Sequence, residues 1–489
     1  MPGDQGRGAG RISLILIPLI YLILPNLPIW LFERKMALYP HGYINVECLL
    51  VGVLAVFLPR VLTFFLLIFE VCAAFVYLVC YTYQFSLSNL LASTHYLSLL
   101  PVGRRSVIFL VLLTIALLSA MAAFAIPRPE GPYRKFVAAI LSLGACLFIC
   151  LDTVDGQNPA LPRDAARSMR RITISPLAEL AKRSLFFRAV EASADKSKDT
   201  AMASASAAGI RFLEQRTSTK SPNVVLVLVE SWGLFRDQRL ADAITAGYQQ
   251  PTIAAKYNVS FGTAPFPGLT VPGEARELCH SRVGFGIMNL TTAQEGDCLP
   301  AIFHSRGYQD IAVHGYVGEM FSRERWYKTI GFDQRWFGPD LEQLGLSRCD
   351  GAFPGVCDGD IADWIGRSLL SQTADQPRFV YWVTLNSHLP VSEPTFLPPD
   401  NVCASYSELK DSRPLCSWFR LISQVHRSVQ RLALEGRDRS TVFILVGDHA
   451  PPFSNPHLRQ LFSDSNVPYV ILTPRDPGSS IAPIQHGGS

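Results

Sequence analysis

Four apolar runs in the second half of the chain each end in a side chain that can ligate a metal or move a proton. Glu230 follows VVLVLV, His314 follows DIAV, His388 follows YWVTLNS, and Asp448-His449 follows VFILVG. A single acid or histidine at such a place is commonly a hydrogen-bond partner, whereas several that converge are typical of a catalytic site. Carboxylate oxygens, an imidazole nitrogen and a hydroxyl oxygen together suit Zn²⁺ or Mn²⁺.

The stretch GLTVPGEARELCH, residues 268–280, carries a threonine, Thr270, in a composition that fits neither a helix nor a strand. A threonine in a turn commonly bonds to nearby backbone. Because this stretch follows the first apolar run and its helix, Thr270 can also supply a hydroxyl to a metal. A bound divalent metal lowers the pKa of a hydroxyl group, so Thr270 would become a nucleophile.

We therefore expect one roughly tetrahedral site for a single Zn²⁺ or Mn²⁺ ion. Its ligands would be Glu230, Thr270, Asp448 and His449. In the alternative without a metal, the Asp448-His449 pair caps the following turn and Glu230 pairs with an arginine such as Arg323.

The elements that must position these residues alternate between short apolar runs and helical stretches from residue 222 onward. The continuous runs predict strands that are buried on both faces; they are NVVLVLVES, YQDIAVHG, RFVYWVTLNSH, STVFILVGDH and VPYVILTP. Helices are predicted between them, for example over Gly355–Ser371 and Trp418–Glu435. This pattern favours an α/β fold with a mainly parallel central sheet, in which ligands bind beyond the carboxyl ends of the strands.

The first 155 residues have a different composition, with long apolar runs that predict a transmembrane helical bundle. We expect five spans, with four as the alternative, over the runs Ile12–Phe32, Val46–Leu58, Val61–Phe85, Val107–Ile126 and Phe136–Leu151. Glu70 lies inside the third run and would serve function there or face the bundle interior. The domains are then residues 1–155 in the membrane, a connector over 156–221 and a catalytic domain over 222–489.

The connector begins with basic and apolar residues at helical spacing, around PRDAARSMRRITISPLAELAKRSLFFRAVEA. Such a helix can lie on an anionic membrane surface or pack on its own domain, and both readings stay open. The following ASADKSKDTAMASASAAG is small, polar and aperiodic, and we expect it to be flexible.

Charge and cysteine content both place the catalytic domain outside the inner membrane. With the amino terminus inside, more arginine and lysine residues of the short loops fall on the cytoplasmic side, and an odd number of spans puts residues after 155 outside. Six cysteines lie beyond the membrane part without CxxC spacing, which favours disulfides in an oxidising compartment. Nearest-neighbour pairing is expected, although fifteen connectivities are possible, among Cys279, Cys298, Cys349, Cys357, Cys403 and Cys416. The net charge of +4 argues against a nucleic-acid partner.

Five segments in one order resemble the lipoteichoic acid synthases and their relatives, the phosphoglycerol and phosphoethanolamine transferases of the alkaline phosphatase and sulfatase superfamily. The segments are NVVLVLVES, GLTVPGE, RERWYKTIGFD, TLNSHLP and GDHAPP. The resemblance covers essentially the whole chain and is most specific over residues 223–452.

This resemblance implies a role for each matching residue. Thr270 corresponds to the nucleophile, Glu274 to the acid four residues on, and Arg323 to an arginine that contacts the substrate phosphate. His388 corresponds to the histidine near the transferred group, and the metal ligands correspond to Glu230, Asp448 and His449. Three departures leave the transferred headgroup open: Val271-Pro272-Gly273 after the nucleophile, Trp232 after E-S, and APPF after D-H.

The resemblance implies transfer of a substituted phosphate, phosphoethanolamine or phosphoglycerol, from a phospholipid donor to an envelope glycan or lipid through a phospho-threonine. The alternatives are a membrane-anchored phosphodiesterase or phosphatase, in which water is the acceptor, and a non-catalytic sensor or scaffold. Sulfatase activity is not expected, because Thr270 cannot form formylglycine and Glu230 is followed by Ser231 rather than a second acid. A single acid at that place also implies one tightly held metal.

Overall fold

The structure is a computed structural model, and it divides into two compact units. One comprises Met1–Val190 with Phe453–Pro456, and the other comprises Glu191–Pro452 with His457–Ser489. The residues that the structure describes are 20–36, 44–82, 87, 90–91, 102–125, 132–155, 173–182, 184, 203–215, 221–266, 268–280, 284–290, 298–370, 376–391, 393–398, 401–436, 439–453, 455–475 and 485–486.

The first unit is helical. Its helices are α1 (Leu27–Met36), α2 (Glu47–Ala55), α3 (Arg60–Thr82), α4 (Val102–Ala120) and α5 (Pro132–Asp155), with a π-helical turn, Met121–Ala125, after α4. Two short strands, β1 (Ile44–Asn45) and β2 (Thr173–Ile174), pair in parallel, and residues 176–182 form a short helix. Glu70 of α3 is buried within this unit.

The number of apolar helices differs from the sequence prediction. Among the described residues, two helices are long and apolar enough to cross a membrane, Arg60–Cys80 and Arg105–Phe124. The run Val46–Leu58 forms only the nine-residue α2, which rises about 14 Å and cannot span a core of about 30 Å. The prediction of five spans is therefore wrong for the described residues, because an apolar run in the sequence does not determine the length of the helix that it forms. Part of the first run lies outside the described residues.

The α5 helix shows a second reason for this difference. It has 24 residues but begins with PYRK and ends with DTVD. Its apolar middle is therefore shorter than the roughly 20 residues that a span requires.

The second unit is built on an eight-stranded sheet, and it contains every strand that the apolar runs predict. In chain order its strands are β3 (Asn223–Val229), β4 (Tyr257–Pro265), β5 (Gln309–His314), β6 (Gln334–Trp336), β9 (Arg378–Val383), β10 (Thr441–Gly447), β11 (Asn466–Pro474) and β12 (Gln485–His486). Their spatial order is β12-β4-β11-β10-β3-β9-β5-β6. Only β11 runs antiparallel to its neighbours β10 and β4, so the prediction of a mainly parallel sheet is confirmed. A separate hairpin pairs β7 (Arg348–Cys349) with β8 (Gly355–Val356).

Helices separate these strands along the chain. They are α6 (Ala205–Gln215), α7 (Gln238–Thr245), α8 (Pro251–Ala254), α9 (Thr270–Cys279), α10 (Leu299–Ser305), α11 (Arg323–Thr329), α12 (Gly338–Gln343), α13 (Asp358–Trp364), α14 (Ser407–Lys410), α15 (Arg413–Leu434) and α16 (Pro456–Arg459). The predicted helix over 355–371 is α13 continued by a π-helical turn, Ile365–Leu370, and the one over 418–435 is α15.

One helix appears where the sequence predicts flexibility. The end of ASADKSKDTAMASASAAG forms the start of α6, so that prediction is wrong from Ala205 onward. The backbone N–H of Ser206 donates to the buried carboxylate of Glu277, 2.8 Å away. Gly209 has no side chain to hold α6 away from the core, where a Cβ would stand 2.4 Å from Ile444 Cδ1. These tertiary contacts outweigh the weak local preference.

Three disulfides join the cysteines of this unit. The pairs are Cys279–Cys298, Cys349–Cys357 and Cys403–Cys416. The predicted nearest-neighbour connectivity is therefore confirmed. Each bridge closes a short loop, which limits the conformations of the unfolded chain.

Strand register brings two distant parts of the chain together at the carboxyl end of the sheet. Val229, the last residue of β3, is paired with Gly447, the last residue of β10. Glu230 and Asp448 are the residues that directly follow these two strands. They therefore lie side by side, because adjacent strands are about 4.8 Å apart. Both strands are buried along their whole length, so their positions are fixed by the core.

Candidate metal centre

Glu230 leaves β3 at a backbone bend. The next residue, Ser231, adopts a left-handed conformation with φ of 58°, which costs a non-glycine residue energy and is characteristic of functional sites. The bend lets the Ser231 N–H donate to Asp448 Oδ1 at 2.7 Å, while its hydroxyl donates to Glu230 Oε1 at 2.8 Å. Glu230 itself is only 4% exposed. The bend thus fixes both carboxylates.

Asp448 and His449 complete a cluster of three ligating side chains with Glu230. Asp448 Oδ1 accepts N–H bonds from Ser231 and His449, whereas its Oδ2 is buried without a hydrogen-bond partner among the described residues. His449 Nδ1 lies 3.0 Å from the Ala450 carbonyl oxygen, which as acceptor fixes the tautomer and leaves the Nε2 lone pair for a ligand. Nε2 lies 3.4 Å from Asp448 Oδ2 and 3.5 Å from Glu230 Oε1.

These distances fit a bound cation. A tetrahedral ion with ligands about 2.0–2.1 Å away holds its ligand atoms about 3.4 Å apart. The unpartnered Oδ2 of Asp448 is the atom that a cation would satisfy, since an orphaned buried carboxylate oxygen is costly. The buried group of Glu230, Asp448 and His449 can therefore bind a metal, and two oxygens with one imidazole admit either Zn²⁺ or Mn²⁺.

Charge in the cluster is shared unevenly. Burial raises the pKa of Glu230, but the charges of His388 and His449 outweigh it and leave the pKa below its usual range. Burial and the nearby Glu230 raise the pKa of Asp448 to about 7. Burial lowers the pKa of His449, yet the two carboxylates outweigh this and the net shift is upward. The charges of the three groups therefore depend strongly on one another.

Thr270 lies beside this cluster, in a helix rather than in the turn that its composition indicates. It is the first residue of α9, and its Oγ1 donates to Glu230 Oε2 at 3.0 Å. Pro272 is tolerated because the first N–H groups of a helix have no intrahelical acceptor. The first intrahelical bond runs from Gly273 N–H to the Leu269 carbonyl at 3.0 Å. The expectation that this stretch forms no helix is wrong.

The α9 helix packs directly against the turn that carries the ligands. A Cβ at Gly273 would stand 3.1 Å from Asp448 Cβ, so glycine permits this approach. Arg276 is fully buried, and its Nη2 donates to the Gly447 carbonyl at 2.7 Å. Gly447 itself lies against the chain after β3, since a Cβ there would stand 1.9 Å from the Trp232 carbonyl oxygen. Helix and turn therefore hold the threonine close to the carboxylates.

His388 stands in the loop after β9 on the same side of the sheet. Its charge lowers the pKa of Glu230, and its Nδ1 lies 2.7 Å from the Leu389 carbonyl oxygen. Two side chains of the loop bind the backbone of Glu230: the Ser387 hydroxyl donates to the Glu230 carbonyl at 2.6 Å, and the Glu230 N–H donates to Thr384 Oγ1 at 2.9 Å. The imidazole is half-buried and therefore accessible to a substrate.

Sequence reasoning missed Asp358, whose side chain holds the backbone of this loop. Its carboxylate accepts the N–H groups of Leu385, at 3.0 and 3.1 Å, and of Asn386, at 2.8 Å. Burial raises the pKa of Asp358 to about 7. It begins α13, where an acid is also expected as a favourable helix start, so its sequence position alone does not reveal this role.

Arg323 lies in a buried ion pair with Glu274. Its Nε and Nη2 donate to Glu274 Oε1 at 2.9 and 2.7 Å, while the hydroxyls of Tyr327 and Tyr381 donate to Oε2. Burial alone would lower the pKa of Arg323, but Glu274 outweighs it and raises the pKa. The alternative in which Arg323 pairs with Glu230 is therefore wrong.

His314 ends β5 with its ring buried. Its Nδ1 lies 3.1 Å from the Val383 carbonyl of the neighbouring strand. Burial, with Arg323 nearby, lowers the pKa of His314 to about 3, so the ring is neutral and available as a hydrogen-bond partner.

Comparison with known proteins gives several similarities. A curated relative, the putative cyclic beta-1,2-glucan modification protein of Rhizobium meliloti, is 26% identical over 245 residues, or 49% of this chain. The matched part spans 37% of that relative's length. Among solved structures, the lipoteichoic acid synthase LtaP of Listeria monocytogenes is 14% identical with a TM-score of 0.38, covering 57% of this chain and 71% of that one. The phosphoglycerol transferase GacH of Streptococcus pyogenes is 13% identical with a TM-score of 0.35, covering 58% and 75%.

A family comparison also matches the part of the chain that carries the candidate centre. The sulfatase family model matches residues 222–486, which include every strand of the central sheet and all the side chains of the candidate centre. Because this match spans more than half of the chain, the protein belongs to the sulfatase family.

Proposed function

We propose that this protein is a membrane-anchored transferase that moves a substituted phosphate from a phospholipid to an envelope glycan or lipid. The observation that carries the proposal is the Thr270 hydroxyl, 3.0 Å from Glu230 and beside two further ligating side chains. A hydroxyl so placed suits nucleophilic attack on phosphorus better than it suits sulfate ester cleavage, because threonine cannot be converted to formylglycine.

In the first half-reaction, Thr270 Oγ1 attacks the phosphorus of the donor phosphodiester and loses its proton toward Glu230, which already accepts its hydrogen bond. The bond between phosphorus and the diacylglycerol oxygen breaks, and His388 supplies the proton to that leaving alcohol. When bound, a divalent cation at Glu230, Asp448 and His449 would lower the hydroxyl pKa and offset charge on the phosphoryl oxygens. In the second half, an acceptor hydroxyl gives its proton to His388 and attacks the phosphorus; the bond between phosphorus and Thr270 Oγ1 breaks, and Glu230 returns the proton to Thr270.

Arg323 is the residue we assign to a phosphoryl oxygen of the donor. Its charge is held by Glu274 on one side of the guanidinium, and a planar guanidinium can accept a second anion through its remaining N–H groups. Binding there would stabilise charge that develops during transfer.

The donor headgroup is phosphoethanolamine or phosphoglycerol, and the acceptor is exposed outside the inner membrane. The two apolar helices Arg60–Cys80 and Arg105–Phe124 support membrane anchoring by length and composition, which would keep the site near a lipid donor. Three disulfides support an oxidising compartment. The name of the Rhizobium meliloti relative supports a glycan, a cyclic β-glucan included, as the acceptor.

The test uses the full chain in detergent with phospholipids whose headgroup is isotopically labelled, with and without a cyclic β-glucan or envelope lipid. Transfer is expected to label the acceptor and release diacylglycerol, and Thr270→Ala is expected to abolish both while Thr270→Ser keeps measurable activity. Release of headgroup phosphate to water at the same rate with and without acceptors would instead establish a hydrolase. Unchanged donor under every condition, with the metal bound, would establish a non-catalytic role.

A further inference from the structure

A second group of ligating side chains lies at the opposite end of β5 from His314. His304 is in the last turn of α10, Asp310 is the second residue of β5, and Asp333 precedes β6. One ligand atom from each lies within 4.8 Å of the others. The candidate catalytic centre lies beyond the carboxyl ends of these parallel strands, whereas this second group lies at their amino ends.

Asp310 is the unusual member of this group. Its side chain is 0% exposed, and neither of its carboxylate oxygens has a hydrogen-bond partner among the described residues. A buried carboxylate without donors is costly and rare in folded proteins. Both oxygens therefore lack the partner that a cation would provide.

The surrounding geometry holds the other two donors toward Asp310. His304 Nδ1 lies 3.5 Å from Asp310 Oδ2 and 3.4 Å from Asp333 Oδ1. These separations match the roughly 3.4 Å edge of a tetrahedral zinc site. Asp333 Oδ2 is occupied by the Asp310 N–H at 3.1 Å, and the Asp333 N–H donates to the Asp310 carbonyl at 3.0 Å. Such support from neighbouring hydrogen bonds is what orients metal ligands.

We propose that His304, Asp310 and Asp333 form a second divalent-cation site, specific for an ion of the Zn²⁺ class, with water in the fourth position. One imidazole and two carboxylates are suitable ligands for such an ion. The site is open on one side, because His304 is 64% exposed and Asp333 is 37% exposed, so the ion can enter from solvent. A bound ion would join α10, β5 and the start of β6, so the site stabilises the amino ends of these strands and takes no part in phosphoryl transfer.

The test measures bound zinc in the full chain after equilibration with a Zn²⁺ buffer and removal of free ion. We expect two equivalents in the wild type, one in His304→Gln, one in Asp448→Asn, and none in the double variant. His304 is exposed, so its substitution leaves folding intact. Asp310→Asn is a second variant of this site and should likewise bind one equivalent of zinc. The matched control is His457→Gln, another exposed histidine, which keeps two.

Two further readouts separate this site from the catalytic one. Competition with a chelator should show that His304→Gln weakens the second zinc by at least about 100-fold, since even outer-shell changes cost 10–100-fold. Added Zn²⁺ should raise the melting temperature of Asp448→Asn but not of its double variant with His304→Gln. Equal zinc content in the wild type and His304→Gln would overturn the proposal. So would a stability loss in His304→Gln that is the same with and without Zn²⁺, which would mean that His304 acts as a cation toward the aspartates.

Discussion

The buried pair of Glu274 and Arg323 gives the sharpest prediction of stability. Their side chains are 0% and 3% exposed, and the arginine donates two hydrogen bonds to one carboxylate oxygen. Glu274→Gln keeps the shape but removes the charge that compensates the guanidinium. Breaking a buried ion pair by removing one partner costs about 3–5 kcal/mol. We therefore expect a free energy of unfolding lower by about this amount.

The measurement is thermal unfolding of the full chain in detergent, monitored by a signal from the second unit. A loss of 1 kcal/mol lowers the melting temperature by about 2–4 °C in domains of 150–250 residues, and less in larger ones. Glu274→Gln should therefore lower it by at most roughly 6–20 °C. The matched control is Glu324→Gln, which neutralises an exposed acid next to Arg323 in α11 and should change it by about 1 °C or less.

A compensating variant tests the cause of this loss. Adding Arg323→Met to Glu274→Gln removes the uncompensated charge, so the double variant should regain at least half of the lost melting temperature, because replacing a buried pair by apolar groups is often neutral. A melting temperature of Glu274→Gln equal to that of Glu324→Gln would refute the reasoning. So would a double variant whose loss of stability exceeds the summed losses of Glu274→Gln and Arg323→Met measured singly.

The remaining predictions concern the site and the disulfides. Gly447→Ala should lower the melting temperature by several degrees and weaken metal binding, because its Cβ would stand 1.9 Å from the Trp232 carbonyl, whereas Gly436→Ala, with no atom within 4 Å, should not. Chelation should remove the proposed transferase activity, and Zn²⁺ or Mn²⁺ should restore it in the wild type but not in Glu230→Gln or Asp448→Asn; full activity in a metal-free preparation would contradict this. Non-reducing peptide mapping should find Cys279–Cys298, and replacing both cysteines by serine should cost about 3 kcal/mol for its 19-residue loop; free thiols there would argue against the oxidising compartment.

The central sheet could be predicted because its strands are continuous apolar runs that leave little choice of secondary structure. β3, β9 and β10 are buried along their whole length, and each run is bounded by polar residues. Strand order is different, since apolar runs of similar composition carry no information about which neighbour they pair with. The antiparallel direction of β11 between β10 and β4 therefore appears only in the structure.

Local composition misled the prediction where tertiary contacts decide. The glycines and proline around Thr270 indicate a turn, but a helix tolerates proline in its first turn, and Gly273 allows close contact with Asp448. Likewise the small residues before Ala205 carry no helical signal, yet Glu277 and the core fix α6 there. Both cases depend on partners more than 70 residues away.

Three of the four metal-ligating candidates, Glu230, Asp448 and His449, could be found because they follow directly on buried strands. The residues that orient them could not, because they act through backbone groups. Asp358 accepts N–H groups of the His388 loop, and Arg276 donates to a carbonyl beside Asp448. Arg323 could be identified as a candidate, but its actual partner depends on which acid the fold brings nearest, and that acid is Glu274.

The pairing of β3 with β10 sets the order in which the site can come into existence. Ser231 and Asp448 are hydrogen-bonded although they lie 217 positions apart, so the first ligand leaves the ribosome long before the other two. Contacts of such high sequence separation form late in folding. The candidate metal centre can therefore capture a cation only after the sheet has closed, and a product truncated before β10 lacks two of its three ligands. Cation loading of this centre therefore follows the pairing of β3 with β10 and cannot accompany synthesis of the first ligand.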